Sequence, residues 1–176
     1  MGVGEGRGVV AFCIPGTGHI HRMLPIVAGL CDAGVPVHFF ANIEAQAEIE
    51  RTGARFVDLY AGRGEHDDAD PASLPRPIRC VTFAGRHGDA VVREVAPLRP
   101  GLVLHDTFAV IGRVVAFHLG IPRVNARAGA AGGGGRPPPP PRGPVFVSPE
   151  CEAAVRTLRQ RHGIPDASPF SFRIDQ

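Results

Sequence analysis

The stretch VVAFCIPGTGHIHRMLPIVAGLCDAG, residues 9–34, places a glycine-rich turn between an uncharged run and an amphipathic helical pattern. The run VVAFCI (9–14) has the length and composition of a buried strand. Apolar residues then recur at helical spacing from Ile20 to Cys31, and Gly34 ends the pattern. The stretch therefore predicts a strand, a turn and a helix, which is the opening unit of an α/β fold.

The same alternation continues along the chain. Further strands are predicted at 35–41, 54–59, 101–106 and 121–126, and helices at 42–53, within 78–97, at 107–120 and from Ser148 to Gly163. Strands that alternate with helices form parallel sheets with helices on both faces. The fold class predicted is α/β, with a Rossmann-like parallel sheet of strand order 3-2-1-4-5.

The chain divides into three segments by composition. Residues 1–127 form the predicted Rossmann-like domain, and 148–176 supply a C-terminal helix and tail of the same domain. Between them, 128–147 is a Gly- and Pro-rich low-complexity segment, for which we expect an extended chain without packed structure. A linker, a proline-rich docking site and a shifted reading frame are the alternatives for this segment.

Composition argues against several function classes. The net charge of +2 is spread along the chain without a basic run, so no nucleic-acid partner is expected. No apolar run approaches membrane-spanning length and the N-terminus has no signal core, so no membrane partner is expected. The four cysteines include no C-x-x-C pair, which suits a cytoplasmic protein. The acidic EHDD (65–68) is expected to be a solvated loop rather than a metal site.

The turn GTGH (16–19) has two alternative interpretations. A dinucleotide-binding loop requires G-x-G-x-x-G and an acidic residue at the end of the second strand. Here the third glycine position holds His21, and the second strand ends in Ala41 and Asn42. The turn therefore more readily serves to present His19.

The predicted strand order brings His19 together with Asp106. Strands 1 and 4 are neighbours in the order 3-2-1-4-5, and their carboxyl ends flank the crevice where such sheets bind ligands. His19 follows strand 1 and Asp106 ends strand 4. A carboxylate that holds one imidazole nitrogen as N–H leaves the other free to take a proton, so the pair predicts a general base. Taken singly, His19 is also explained as a polar helix-start residue and Asp106 as a helix N-cap.

Four stretches together resemble the N-terminal half of GT-B fold glycosyltransferases of the macrolide and antibiotic type, within the UDP-glycosyltransferase superfamily. PGTGHIHRMLPIVAGLCDAGVPVHFF is similar to the family's P-x-x-G-H-x-x-P-x-L-x-L opening, and RTGARFVDL fits the strand that follows. LRPGLVLHDTFAVIGRVVAFHLGIPRV matches P-D-L-V-x-x-D-x-x-x-x-x-G-x-x-x-A-x-x-L-G-I-P, and SPECEAAVRTLRQRHGIPDASPF resembles a later helix of the acceptor domain. The resemblance covers about 1–127 and 148–170.

The resemblance implies that His19 deprotonates an acceptor hydroxyl and that Asp106 pairs with it. Candidates for acceptor binding are Gly18 of the turn and four apolar side chains near the expected cleft: Phe12, Met23, Phe83 and Phe108. Each of these four side chains also fits a core position.

The resemblance also implies a small-molecule acceptor as partner and no cofactor. A nucleotide-sugar donor would be the co-substrate, bound by a C-terminal domain that we expect to be missing from this chain. Two alternatives stay open. One is a split transferase whose donor domain is a separate chain, and the other is a remnant that at most binds a ligand.

Overall fold

The computed structural model describes residues 8–63, 75–126 and 148–168. The low-complexity segment 128–147 and the acidic loop 65–68 lie outside the described residues. None of the described helices is long and apolar enough to cross a membrane.

Five parallel strands form one sheet in the order β3-β2-β1-β4-β5, as the alternating pattern predicts. Each strand is parallel to its neighbours, and the central strand β1 pairs with both β2 and β4. The strands are β1 (Val9–Phe12), β2 (Val37–Ala41), β3 (Arg55–Asp58), β4 (Leu102–Asp106) and β5 (Arg123–Ala126). The helices are α1 (Thr17–Asp32), α2 (Gln46–Glu50), α3 (Arg76–Val95), α4 (Val110–Leu119) and α5 (Pro149–Gln160).

Helices cover both faces of the sheet, and each face has its own apolar core. Alternate residues of β1 point to opposite sides: Val10 and Phe12 pack under α3, α4 and α5, whereas Val9 and Ala11 pack under α1. Both faces of the central strand are therefore buried. This explains why its sequence is a continuous apolar run rather than an alternation of apolar and polar residues.

Two predicted helices differ from the observed structure. In place of one helix at 42–53, a 3₁₀ turn (Ile43–Ala45) leads into the short α2, and Gly53 ends the region with φ of +86°. The helix predicted at 107–120 begins only at Val110, because the Asp106 carboxylate accepts the backbone N–H of Phe108 and holds a turn there. This later start matters for the site, because it places Phe108 in the turn after β4.

Candidate active site

Gly16 sets the direction of the chain before His19. Its φ of +152° is a conformation that L side chains rarely adopt, and α1 begins at the next residue. An added Cβ at Gly16 would lie 2.9 Å from Nη1 of Arg76 and 3.3 Å from the His19 ring. His19 therefore stands in the first turn of α1, held close to the end of β1.

Asp106 ends β4, directly beside β1, and both of its carboxylate oxygens are used. Oδ2 accepts a hydrogen bond from Nδ1 of His19 at 2.7 Å, and Oδ1 accepts the backbone N–H of Phe108 at 2.8 Å. The Asp106 side chain is 3 % exposed and that of His19 is 18 % exposed. The structure thus brings together two residues 87 positions apart.

This hydrogen bond assigns the tautomer of His19. A carboxylate can only accept, so Nδ1 carries a proton, and in the neutral ring Nε2 carries the lone pair. The short Asp106 contact also stabilises the imidazolium that forms when Nε2 takes a proton. A histidine held in this way is arranged to act as a general base toward a hydroxyl group placed against Nε2.

An apolar cleft of about 490 Å³, a volume that includes its open mouth, lies at the same edge of the sheet. Its walls come from the loop after β1, the residues that follow β3, the start of α3 and the turn after β4. Phe108 joins the cleft to the dyad, because its ring lines the cleft and meets the His19 ring edge-on at a centroid distance of 5.5 Å. Burial raises the pKa of Cys80, another lining residue, to about 12, so its thiol is protonated at neutral pH.

The predicted acceptor residues divide into three groups. Phe83 and Phe108 line the cleft. Phe12 and Met23 do not: Phe12 stacks on Phe40 with no exposed surface, and Met23 is 1 % exposed in the core under α1. Their expected place in an acceptor wall is corrected to core packing, because Phe12 of β1 faces the helices that cover its side of the sheet and Met23 of α1 faces the sheet. Gly18 is exposed near the start of α1, outside the cleft lining, and its carbonyl accepts from Nε of Arg22 at 2.8 Å.

Sequence reasoning missed two residues that shape the site. His105 is 2 % exposed and lies 2.9 Å, through Nδ1, from the carbonyl oxygen of Asp106, and burial lowers its pKa. Arg76 donates from Nη1 to the carbonyl of Pro15 at 2.9 Å, which ties the start of α3 to the loop before His19. The HD pair at the end of β4 was the available signal for His105. No sequence signal pointed to Arg76, because it follows a proline-rich loop and is far in sequence from the loop before His19.

Solved structures of glycosyltransferases superpose on this chain. SnogD from Streptomyces nogalater aligns with a TM-score of 0.59 and 22 % identity, over 90 % of this chain and 40 % of SnogD. The glycosyltransferase SsfS6 of Streptomyces sp. SF2575 aligns with a TM-score of 0.57 and 18 % identity, over 94 % of this chain and 48 % of SsfS6. The fold is that of these glycosyltransferases.

A third structure, that of the calicheamicin glycosyltransferase CalG4, aligns with a TM-score of 0.53 and 20 % identity, over 73 % of this chain and 32 % of CalG4. The chain spans about half the length, or less, of each of these structures. SsfS6 has also been solved in complex with thymidine diphosphate. No protein-family model and no curated protein sequence matches this chain.

Proposed function

We propose that this chain is the acceptor-binding half of an inverting glycosyltransferase that transfers a sugar from a nucleotide sugar to a hydroxyl of an apolar natural product. The observation that carries this proposal is the His19–Asp106 hydrogen bond of 2.7 Å at the carboxyl edge of the sheet. It stands beside an apolar cleft, in a fold shared with glycosyltransferases. A paired imidazole next to an apolar cleft suits proton removal from a bound hydroxyl.

In this proposal His19 acts as the base. Its Nε2 takes the proton of the acceptor hydroxyl while that oxygen forms a bond to the anomeric carbon of the sugar. The bond from the anomeric carbon to the nucleoside diphosphate breaks on the opposite side, so the configuration inverts. Asp106 keeps Nδ1 protonated throughout and stabilises the imidazolium that results.

The lining of the cleft supports an apolar acceptor. Phe83 and Tyr60 pack with ring centroids 5.0 Å apart, and with Phe108 they supply aromatic surface for a rigid aglycone. The nucleotide sugar would be held by a second domain, in the same longer chain or in a partner chain. In this proposal the base and the acceptor site belong to this chain, and the site for the leaving nucleotide belongs to the second domain.

Complementation tests the proposal. The chain is mixed with, or fused to, the donor-binding part of a structurally similar enzyme such as SnogD, and transfer to a panel of hydroxylated macrolide and polyketide aglycones is measured. We expect transfer only when both parts are present. His19→Ala is expected to lower the rate by about 10²–10⁴-fold and to leave acceptor affinity within about twofold, because the cleft walls are unchanged.

His21→Ala is the matched control. His21 lies two residues further along α1 and also pairs with a carboxylate, Glu48, at 2.8 Å, but both side chains are largely exposed. It should leave transfer unchanged. Acceptor binding without transfer in any complemented form would favour a non-catalytic binding domain, and full transfer by His19→Ala would place the base elsewhere.

A further inference from the structure

Three side chains able to bind a metal meet where α3, α4 and the end of α5 pack together. Nε2 of His118, near the end of α4, lies 2.7 Å from Nδ1 of His162, which follows α5. Asp89 of α3 joins them, and one ligand atom from each of the three residues lies within 4.8 Å of the other two. The two histidines are 44 residues apart in sequence, so no spacing motif marks the cluster.

The cluster is separate from the proposed active site. The helix α4 starts at Val110, just after Asp106, and runs away from the carboxyl edge of the sheet. At 1.5 Å per residue, His118 stands roughly 12 Å along the helix axis from that start. Its side chain therefore belongs to the opposite edge of the domain, and no step of the proposed sugar transfer uses it.

The surroundings hold one ligand firmly and leave the others able to adjust. His162 is 1 % exposed, and a Cβ added to Gly88 would lie 3.2 Å from its Nε2, so its ring has little room to turn. His118 is exposed and can rotate. Asp89 pairs with Arg161 at 2.8 Å, but the Arg161 side chain is 65 % exposed and can release the carboxylate into another contact.

We propose that Nε2 of His118, Nδ1 of His162 and the Asp89 carboxylate bind one divalent transition-metal ion of the Zn²⁺ type, with water as the remaining ligand. Two imidazoles and one carboxylate suit Zn²⁺ better than Mg²⁺ or Ca²⁺. Zn–N bonds of about 2.0–2.1 Å in a tetrahedron separate two nitrogens by about 3.3 Å. The histidine pair would therefore open by about 0.6 Å as the ion replaces the proton shared between the rings.

Metal binding would join α3, α4 and the segment that follows α5 at one point. His162 lies in the segment that follows α5, whereas Asp89 and His118 belong to helices from the preceding part of the chain. An ion that binds the folded state and not the unfolded chain raises thermal stability by mass action. The expected role is thus structural, in holding α5 and the turn after it against α3 and α4.

The test uses the whole chain, purified without a histidine tag and stripped with a chelator. Zn²⁺ binding is measured by calorimetry, and Co²⁺ serves as a spectroscopic probe of geometry. We expect one saturable site per chain, a Co²⁺ absorption spectrum of tetrahedral intensity and a raised Tm with Zn²⁺. His118→Gln and Asp89→Asn are each expected to weaken Zn²⁺ affinity at least about tenfold. His118 is exposed, so loss of the fold does not explain its effect.

His21→Gln is the control, because it removes an exposed histidine whose partner is the Glu48 carboxylate rather than a second imidazole. It should bind Zn²⁺ as tightly as the wild-type chain. Absence of a saturable site, wild-type affinity in His118→Gln or in Asp89→Asn, or an equal loss in His21→Gln would each overturn the proposed site.

Discussion

Replacing Gly112 by alanine tests how closely α4 packs against β4 next to the candidate base. A Cβ at this position would lie 2.6 Å from Cβ and 3.2 Å from Cγ of His105, and 3.4 Å from the Phe12 ring. The shortest of these distances is below any real Cβ contact, so something must move. His105 is on an inner strand and Phe12 is wholly buried, so neither can move into solvent.

Two effects of opposite sign set the magnitude. Alanine in place of glycine within a helix favours folding by up to about 1 kcal/mol. Overpacking a rigid core costs about 1–3 kcal/mol. The steric cost is the larger here, so the free energy of unfolding should fall by about 1–2 kcal/mol in Gly112→Ala. At about 2–4 °C per kcal/mol for a chain of this size, Tm should fall by several degrees.

Gly29→Ala supplies the matched comparison. Gly29 also lies in a helix, α1, but among the described residues no atom beyond its chain neighbours and the helix's own backbone lies within 4 Å of an added Cβ. Only the helix-propensity effect remains, so this variant should gain about 0.4–1 kcal/mol. Urea and thermal unfolding of both variants, followed by circular dichroism, measure the difference. A Gly112→Ala protein as stable as Gly29→Ala would refute the packing argument.

Three further predictions concern single side chains. Asp106→Asn should move the His19 proton from Nδ1 to Nε2, because an amide N–H in place of Oδ2 cannot accept a hydrogen bond. Long-range ¹H–¹⁵N spectra of the chain report the tautomer. A proton that stays on Nδ1 would count against the assignment. Burial lowers the pKa of His105 below its ordinary 6.5, so the folded state favours the neutral ring. Its contribution to stability should be complete above about pH 6.5 and decline as the pH falls further. In urea titrations at several pH values, His105→Gln should lose this part of the fall in unfolding free energy at acid pH. Ser148→Ala removes the N-cap that accepts the Cys151 N–H at 3.1 Å, and should cost about 1 kcal/mol by chemical denaturation, whereas Ser148→Asp should retain most of the stability.

The strand order and the meeting of His19 with Asp106 could be predicted because they follow from local patterns and one rule of topology. Continuous apolar runs mark the inner strands, and parallel order places the ends of β1 and β4 side by side. Nothing more than residue types and their order was needed to bring together two residues 87 positions apart.

The sequence could not predict in the same way which aromatic side chains face the cleft. A buried phenylalanine and a cleft-lining one have the same hydrophobic pattern, and the difference depends on which helix covers each position. Phe12 points under α4, whereas Phe108 lies in a turn in which its own N–H donates to the Asp106 carboxylate and the N–H of Ala109 donates to the Asp106 carbonyl. The cluster of Asp89, His118 and His162 escaped prediction for a related reason, since its members meet only through the packing of three helices.

A double-mutant cycle on sugar transfer by the complemented enzyme tests the central claim most directly. If Asp106 acts only through His19, then Asp106→Asn lowers kcat in the wild-type background and has no further effect once His19 is alanine. The account predicts that each single variant loses about 10²–10⁴-fold and that the double variant is no slower than His19→Ala alone. Losses that multiply in the double variant would show that the two residues act independently and would contradict the dyad.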